Sequence, residues 1–326
     1  MLHSIFGCAP EPHIGRQMSA PDGNEMAVTV KVGDGAPVQE ATVSGEERAP
    51  VTFTSHLQAN VKFWTVYLPA VFARNLYRGA PTTSRCRDLP ARDPDLQPDA
   101  HDHLIVLLHG LLSRPASLEL FANELSSAHP TATIWAPRIL NRGLATLDDT
   151  VQHLWERLDQ SPWGDRWPTT PITIVGVSNG SRLACAFDAL LRQKHHRSTR
   201  HLHLVAPAVV GSSVAGLVAA SPLARFIPGR VANVVGEFAP SSAVIQGANR
   251  AFWETASAGS PTEVFVYHAT HDLIVQPVGL VDEWVAQSND NVVVVSRRDF
   301  HDHNHWSLVL DGEIVGNIVA SVSRPR

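Results

Sequence analysis

The sequence has few cysteines and few charged residues. Of its 326 residues only 3 are cysteines (Cys8, Cys86 and Cys185), too few for a disulfide framework. Charged residues make up 17 % of the chain and the formal net charge is −5, which argues against general affinity for nucleic acid or an anionic membrane. The composition therefore excludes disulfide-stapled and nucleic-acid-binding classes and leaves a globular protein with an ample apolar core.

Segments that would direct the chain to or across a membrane are also missing. No stretch reaches the roughly 18 consecutive apolar residues of a membrane-spanning helix. The nearest candidate, Phe63–Ala73, is shorter and contains Pro69. The first residues lack the basic region and apolar run of a secretory signal. These absences predict a cytoplasmic protein, with non-classical secretion left open.

The first hundred residues differ in character from the rest. Residues 1–55 are rich in Gly, Pro, Glu and small residues, which predicts a largely irregular N-terminal tail. Residues 56–102 predict a helix and a linker that pack on the main domain. Within them, residues 57–78 carry many aromatic side chains, so peripheral membrane contact through this stretch is the alternative.

From residue 103 to 326 apolar runs of strand length alternate with helical patterns. Unbroken apolar runs are typical of strands buried on both faces, and their alternation with helices predicts an α/β domain with a mainly parallel sheet and helices on both faces. Residues of about 207–261 break the rhythm and predict a cap-like insertion. The predicted strands are Leu104–Leu108, Ala132–Trp135, Ile172–Val175, Leu202–Val205, Val264–Tyr267 and Val292–Val295. The predicted helices are Ser117–Ser127, Leu147–Leu158, Ser181–Arg192, Pro277–Gln287 and Trp306–Val322.

A candidate nucleophile lies between one of these strands and the next helix. Gly176-Val177-Ser178-Asn179-Gly180 matches the G-x-S-x-G pattern, in which a sharp turn lifts the serine hydroxyl above the sheet. Gly176 and Gly180 supply the small residues that such a turn needs. The following helix points its N-terminus at the site, which favours developing negative charge.

A serine hydroxyl needs a base, and the base needs an orienting acid. Asp272 follows a predicted strand and is the candidate acid, although it could merely cap the next helix. His301, His303 and His305 follow the last predicted strand and are candidate bases. We favour His305, because it would directly precede a helix starting at Trp306, and keep His303 as the alternative.

The loop after the first buried strand predicts an oxyanion hole. It reads His109-Gly110-Leu111-Leu112, and Gly110 would let the backbone approach the nucleophile closely. The backbone amides of Leu111 and Asn179 are the expected donors to an oxyanion. His109 is expected to be structural, holding the loop by hydrogen bonds.

This ordered set of residues resembles the α/β-hydrolase superfamily, and within it the lipases and esterases. The resemblance covers residues 103 to 325 and depends on His109-Gly110, the serine turn, Asp272 and His305 in that order. It implies that Ser178 is acylated, that His305 acts as base and then as acid, that Asp272 orients His305, and that no cofactor is needed. Asn179 departs from the Met, Gln or Leu that many lipases carry after the nucleophile.

The substrate expected from this resemblance is a small-molecule or lipid ester with an aliphatic acyl chain. Apolar side chains follow Gly110, and the Ala/Val-rich stretch Ala208–Ala220 is a candidate lining for an acyl pocket. Three alternatives stay open: a thioesterase, acyltransferase or cofactor-free haloperoxidase of the same fold; an inactive interaction protein; and a metal enzyme that uses the clustered histidines. The histidine clusters lack recognised metal-ligand spacing, so no metal site is predicted.

Overall fold

The computed structural model describes residue 88 and residues 103–212, 215–216, 229–272, 274–275 and 278–322. All of them belong to one compact unit, Pro50–Arg326. The predicted tail (1–55) and the predicted helix and linker (56–102), with the 57–78 stretch considered for membrane contact, lie outside the described residues except for Asp88. No helix within the described part is long and apolar enough to cross a membrane.

The described residues form six strands and seven α-helices that alternate along the chain. The strands are β1 (Leu104–Leu108), β2 (Thr133–Trp135), β3 (Ile172–Val177), β4 (Arg200–Val205), β5 (Thr262–Ala269) and β6 (Val292–Phe300). The helices are α1 (Glu119–Ala128), α2 (Leu147–Asp159), α3 (Asn179–Gln193), α4 (Gly229–Glu237), α5 (Ala243–Glu254), α6 (Val278–Val285) and α7 (Gly312–Val322).

The six strands form one sheet in the order β2-β1-β3-β4-β5-β6, and every neighbouring pair is parallel. From β1 the chain steps outward to β2, returns across β1 to β3, and then continues in the opposite direction to β6. Such a reversal of winding leaves a crevice at the carboxyl ends of the two central strands, where open α/β sheets bind ligands. Here those strands are β1 and β3.

Both faces of the sheet are covered, which explains the unbroken apolar runs. Along β1, Leu104, Val106 and Leu108 belong to one apolar cluster, whereas Ile105 and Leu107 belong to another. Because alternate strand residues point to opposite faces, a strand buried on both faces cannot show polar alternation. The fold class predicted from the sequence, a mainly parallel α/β sheet with helices on both faces, is therefore confirmed.

The last predicted helix starts later than expected. Instead of one helix from Trp306, a 3-10 turn at Leu308–Leu310 is followed by a break, and α7 begins at Gly312. Asp311 is extended, and its carboxylate accepts hydrogen bonds from the backbone amides of Glu313 and Ile314. Asp311 is thus the N-terminal cap of α7. The prediction from the apolar pattern alone did not take this cap into account.

Strand β6 also runs longer than predicted, to Phe300 rather than Val295. Its second half, Ser296-Arg297-Arg298-Asp299, is polar and pairs with β5 as far as Ala269. Strand β6 lies at the edge of the sheet and has a neighbouring strand on one side only. Polar residues are tolerated at such an edge, so they can continue the strand. This extension carries the chain to the turn that contains the candidate bases.

The predicted insertion contains both core and peripheral structure. Helix α5 packs into the main core: Phe252 stacks on Trp284, and the Asn249 side chain links the Val209 carbonyl to the Trp284 indole. Helix α4 ends at Glu237, close to α3. Residues 213–214 and 217–228 of the insertion lie outside the described residues.

A buried charge network ties the end of α3 to the start of β4. The Asp188 carboxylate accepts hydrogen bonds from Arg192 at 2.8 Å and from Arg200 at 3.1 Å, and all three side chains are buried. His196 accepts from the Arg200 guanidinium through Nδ1 (3.1 Å) and donates to the Thr170 carbonyl through Nε2 (2.8 Å). Burial and, secondarily, the Arg200 charge lower the pKa of His196 from 6.5 to about 4.

The lowered pKa of His196 predicts acid sensitivity. Between pH 6.5 and 4 the unfolded chain binds a proton at His196 that the folded chain does not, so the free energy of unfolding falls as the pH falls. We expect a slope of about 1.4 kcal/mol per pH unit from this residue. Urea unfolding at a series of pH values should show this extra slope in the native sequence and not in His196→Gln. Parallel pH dependences of the two proteins would contradict it.

Candidate active site

Ser178 lies on the sharp turn between β3 and α3, at the carboxyl edge of the sheet. Its backbone has φ 55° and ψ −119°, a conformation that non-glycine residues rarely adopt and that costs about 1–3 kcal/mol. Two backbone hydrogen bonds hold it: the Ser178 amide donates to the Val205 carbonyl (2.9 Å), and its carbonyl accepts from the Ser181 amide (2.9 Å). The hydroxyl is thereby raised above the sheet and stays partly exposed.

Gly176 and Gly180, the two glycines of the serine motif, leave no room for a side chain. A Cβ on Gly176 would lie 2.5 Å from the carbonyl oxygen of Gly180. A Cβ on Gly180 would overlap the carbonyl of Leu108, 2.7 Å from its carbon atom. These positions therefore bring α3 against both β3 and β1, and the tight approach forms the turn at Ser178.

The structure brings three of the predicted residues into a continuous hydrogen-bonded row. The Ser178 Oγ lies 2.9 Å from Nε2 of His305, and Nδ1 of His305 lies 2.7 Å from Oδ2 of Asp272. His305 and Asp272 are buried, whereas the serine hydroxyl is partly exposed. A carboxylate can only accept, so it selects the tautomer with hydrogen on Nδ1 and leaves the Nε2 lone pair facing the serine hydroxyl.

Asp272 follows β5 and has both carboxylate oxygens engaged. Its Oδ1 accepts hydrogen bonds from the backbone amides of Ile274 (2.8 Å) and Val275 (2.9 Å), while Oδ2 faces His305. The loop thus fixes the carboxylate in the plane in which it meets the imidazole. The interpretation of Asp272 as a simple cap of the next helix does not account for the contact with His305.

Of the three candidate histidines after β6, His301, His303 and His305, it is His305 whose ring contacts Ser178. The ring of His303 contacts the Asp311 carboxylate at 3.2 Å, not Ser178. Asn304 folds the turn, because its side-chain oxygen accepts from the backbone amides of Trp306 and Ser307, and this directs the His305 ring inward. The reason given from the sequence, a helix that starts at Trp306, is wrong because α7 begins at Gly312.

The loop after β1 lies directly against Ser178. A Cβ on Gly110 would be 3.2 Å from Cβ of Ser178 and 3.6 Å from its Oγ. Among the described residues, no backbone carbonyl accepts a hydrogen bond from the Leu111 amide or the Asn179 amide. His109 is buried and its Nδ1 donates to the Gly110 carbonyl at 2.9 Å, while burial lowers the pKa of this imidazole.

Asn179 has a second set of contacts that the sequence did not suggest. Its side-chain oxygen accepts from Nε of Arg182 at 3.2 Å, and the buried Arg182 guanidinium lies 3.6 Å from the Glu237 carboxylate and over the ring of Phe238. Burial lowers the pKa of Arg182 to about 10, against the raising effect of Glu237. Glu237 and Phe238 belong to the insertion, which therefore contacts the residue after the nucleophile.

The remaining predictions for this region concern metals and the acyl pocket. Within the described ranges no three His, Cys, Asp or Glu side chains converge as a ligand set for a metal ion. Of the stretch proposed to line an acyl pocket, Ala208–Val210 form a buried 3-10 turn, and the Ala208 amide donates to the Ser178 carbonyl at 3.4 Å. Residues 217–220 of that stretch lie outside the described residues.

A serine on a strained strand-to-helix turn, followed in chain order by an acid and a histidine, is the signature of one fold. Together with the parallel sheet and its central reversal, this arrangement defines the α/β-hydrolase fold. No protein family model and no curated protein sequence matches the chain.

Solved structures of similar shape include three hydrolases, all at low identity. Lipase B of Aspergillus fumigatus is 13 % identical, with 73 % of this chain and 56 % of that one covered and a TM-score of 0.46. A meta-cleavage product hydrolase is 15 % identical over 67 % and 90 % of the two chains (TM-score 0.44), and a serine hydrolase from Cycloclasticus zankles is 15 % identical over 69 % and 92 % (TM-score 0.41). Because these TM-scores are below 0.5, the fold assignment depends on the topology and the turn described above.

The crowding at Gly180 predicts that even one methyl group disrupts the turn. Gly180→Ala should lower the free energy of unfolding by at least about 1–3 kcal/mol, since the new Cβ overlaps the Leu108 carbonyl. Gly247→Ala is the matched control: this exposed glycine lies within α5 with nothing within 4 Å of a new Cβ, so alanine should stabilise by about 0.4–1 kcal/mol. Chemical unfolding of both variants measures the difference, and equal stabilities would refute the packing account.

Proposed function

We propose that this protein is a serine hydrolase that cleaves carboxylic esters through an acyl-enzyme intermediate. The observation that carries the proposal is the continuous contact from Ser178 to His305 to Asp272, at 2.9 Å and 2.7 Å, on a strained turn at the crevice of the sheet. A hydroxyl held within hydrogen-bond reach of a neutral imidazole is an activated nucleophile.

In the proposed reaction the Ser178 oxygen attacks the carbonyl carbon of the ester while Nε2 of His305 takes its proton. The carbonyl oxygen becomes an oxyanion that accepts hydrogen bonds from the amides of Leu111 and Asn179, each worth roughly 3 kcal/mol in the transition state. Collapse breaks the bond to the alcohol oxygen, which receives the proton from His305. Water, deprotonated by the same imidazole, then releases the acid and restores Ser178.

Asp272 would stabilise the imidazolium that forms during each half of this cycle. Its carboxylate is buried and held by two backbone amides, so it cannot turn away from Nδ1 as positive charge develops. Fixed orientation of this kind lowers the reorganisation that the reaction requires.

We further infer that the acyl group of the substrate is aliphatic. Leu112 and Trp306 are the large apolar side chains that are more than half exposed among the described residues, at 52 % each. Leu112 directly follows Leu111 in the chain, and Trp306 directly follows His305 and meets its ring edge-on, with the ring centroids 5.3 Å apart. Exposed apolar surface next to a reactive group favours substrates with apolar parts.

The triad assignment is tested by substitution with a matched histidine control. Ser178→Ala, His305→Ala and Asp272→Asn should each reduce kcat on p-nitrophenyl esters by roughly 10⁴-fold or more. His303→Ala, two residues from His305 but in contact with Asp311, should stay within a few-fold of the native rate. Fluorophosphonate labelling followed by mass spectrometry should locate the adduct on Ser178. Comparable losses in the two histidine variants, or an adduct elsewhere, would overturn the assignment.

The acyl preference is tested by removing the exposed tryptophan. Trp306→Ala should lower kcat/KM on p-nitrophenyl octanoate relative to p-nitrophenyl acetate by roughly 5- to 30-fold, because contacts with several methylene groups worth about 1–2 kcal/mol are lost. Trp155→Ala, in α2 and packed on Trp167, is the control and should leave the ratio unchanged. A preference for acetate in the native protein would contradict the aliphatic assignment.

A further inference from the structure

Three consecutive residues in the loop after β2 have left-handed backbones. Asn141 (φ 47°), Arg142 (φ 57°) and Gly143 (φ 86°) lie in the segment Leu140–Gly143. Left-handed conformations are unfavourable for residues with a Cβ, so Asn141 and Arg142 must be held there by other contacts. Both side chains are exposed, and burial of these residues does not supply the compensation.

Besides two backbone hydrogen bonds of its own, from the Arg142 amide to the Ile139 carbonyl and from the Leu144 amide to the Asn141 carbonyl, the segment makes contacts with the loop after β1. The backbone amide of Leu112 donates to the Arg142 carbonyl at 2.8 Å. In return, the Arg142 guanidinium donates to the Leu112 carbonyl through Nη2 and reaches the Ser113 carbonyl through Nε at 3.5 Å. Leu112 itself has a positive φ of 58°. Arg142 thus hydrogen-bonds to both the backbone amide and the backbone carbonyl of Leu112.

The same segment also lies against the side chains of Leu111 and Asn179, the two residues whose amides are the expected oxyanion donors. A Cβ on Gly143 would be 3.0 Å from the side-chain nitrogen of Asn179 and 3.3 Å from Cδ1 of Leu111. The loop after β1 and the serine turn are therefore packed against a common partner, Gly143. Displacement of a donor by about 1 Å is enough to reduce a rate by roughly two orders of magnitude.

We propose that Arg142 is a positioning residue that holds the Leu111–Ser113 loop so that the Leu111 amide faces the oxyanion formed at Ser178. This inference rests on the proposed hydrolase function. Arg142 touches no reacting atom and acts through the backbone of Leu112 and Ser113.

The test compares Arg142→Met with Arg138→Met, an exposed arginine that precedes the segment. Methionine keeps an apolar stem and removes the donors. Arg142→Met should lower kcat on p-nitrophenyl esters about tenfold with KM within twofold, and should slow fluorophosphonate labelling of Ser178 by a similar factor. The circular dichroism spectrum and the pH profile should stay unchanged, and Arg138→Met should match the native protein. Arg142→Lys, which retains one donor, should recover part of the rate.

Hydrogen exchange separates failure of this inference from failure of the proposed function. Peptides that cover Leu111–Ser113 should exchange faster in Arg142→Met, whether or not the protein cleaves esters. A native protein that exchanges as expected but neither labels nor hydrolyses would overturn the function, and the positioning role with it. Faster exchange with native kcat and labelling rate would overturn the positioning role alone, as would a raised KM with unchanged kcat.

Discussion

The close approach of α3 to β1 is the constraint on which the rest of the site depends. Only a residue without a side chain at position 180 lets the first turn of the helix reach the Leu108 carbonyl, and that approach forces Ser178 into a positive φ. The strain is sustained because the serine backbone is hydrogen-bonded on both sides and the sheet beneath it is buried on both faces. A rigid, overdetermined frame is what allows a strained nucleophile to persist.

The sheet topology then brings the remaining groups to the same edge of the sheet. All strands are parallel, so the segments that follow β1, β3, β5 and β6 emerge at one edge. The reversal of winding lies between β1 and β3, the strand that leads into Ser178, and Asp272 and His305 reach the serine from β5 and β6, farther along the sheet. The long polar half of β6 matters here because it carries the chain up to the turn that supplies the imidazole.

Structural features could be predicted from the sequence where the same physical cause determines both the sequence pattern and the structure. Burial on both faces produces unbroken apolar strands, and a tight turn produces paired glycines, so the fold and the serine turn could be predicted. The choice among three histidines within five residues could not be derived soundly, because it depends on how the Asn304 side chain folds its own turn. The Arg142 contact was missed altogether: it joins residues 30 positions apart, and Asn-Arg-Gly offers only a weak turn signal.

Many lipases carry an apolar residue or glutamine where this chain has Asn179. The neighbours of Asn179 give a physical reason for this difference. Its side-chain oxygen satisfies Nε of a buried arginine whose charge is balanced by Glu237 of the insertion. Leu or Met at this position would leave that nitrogen without this acceptor, in a place where burial already lowers the arginine pKa. The residue after the nucleophile therefore joins the serine turn to the insertion on one side and to the Gly143 segment on the other. Its side chain therefore belongs to the packing of the site.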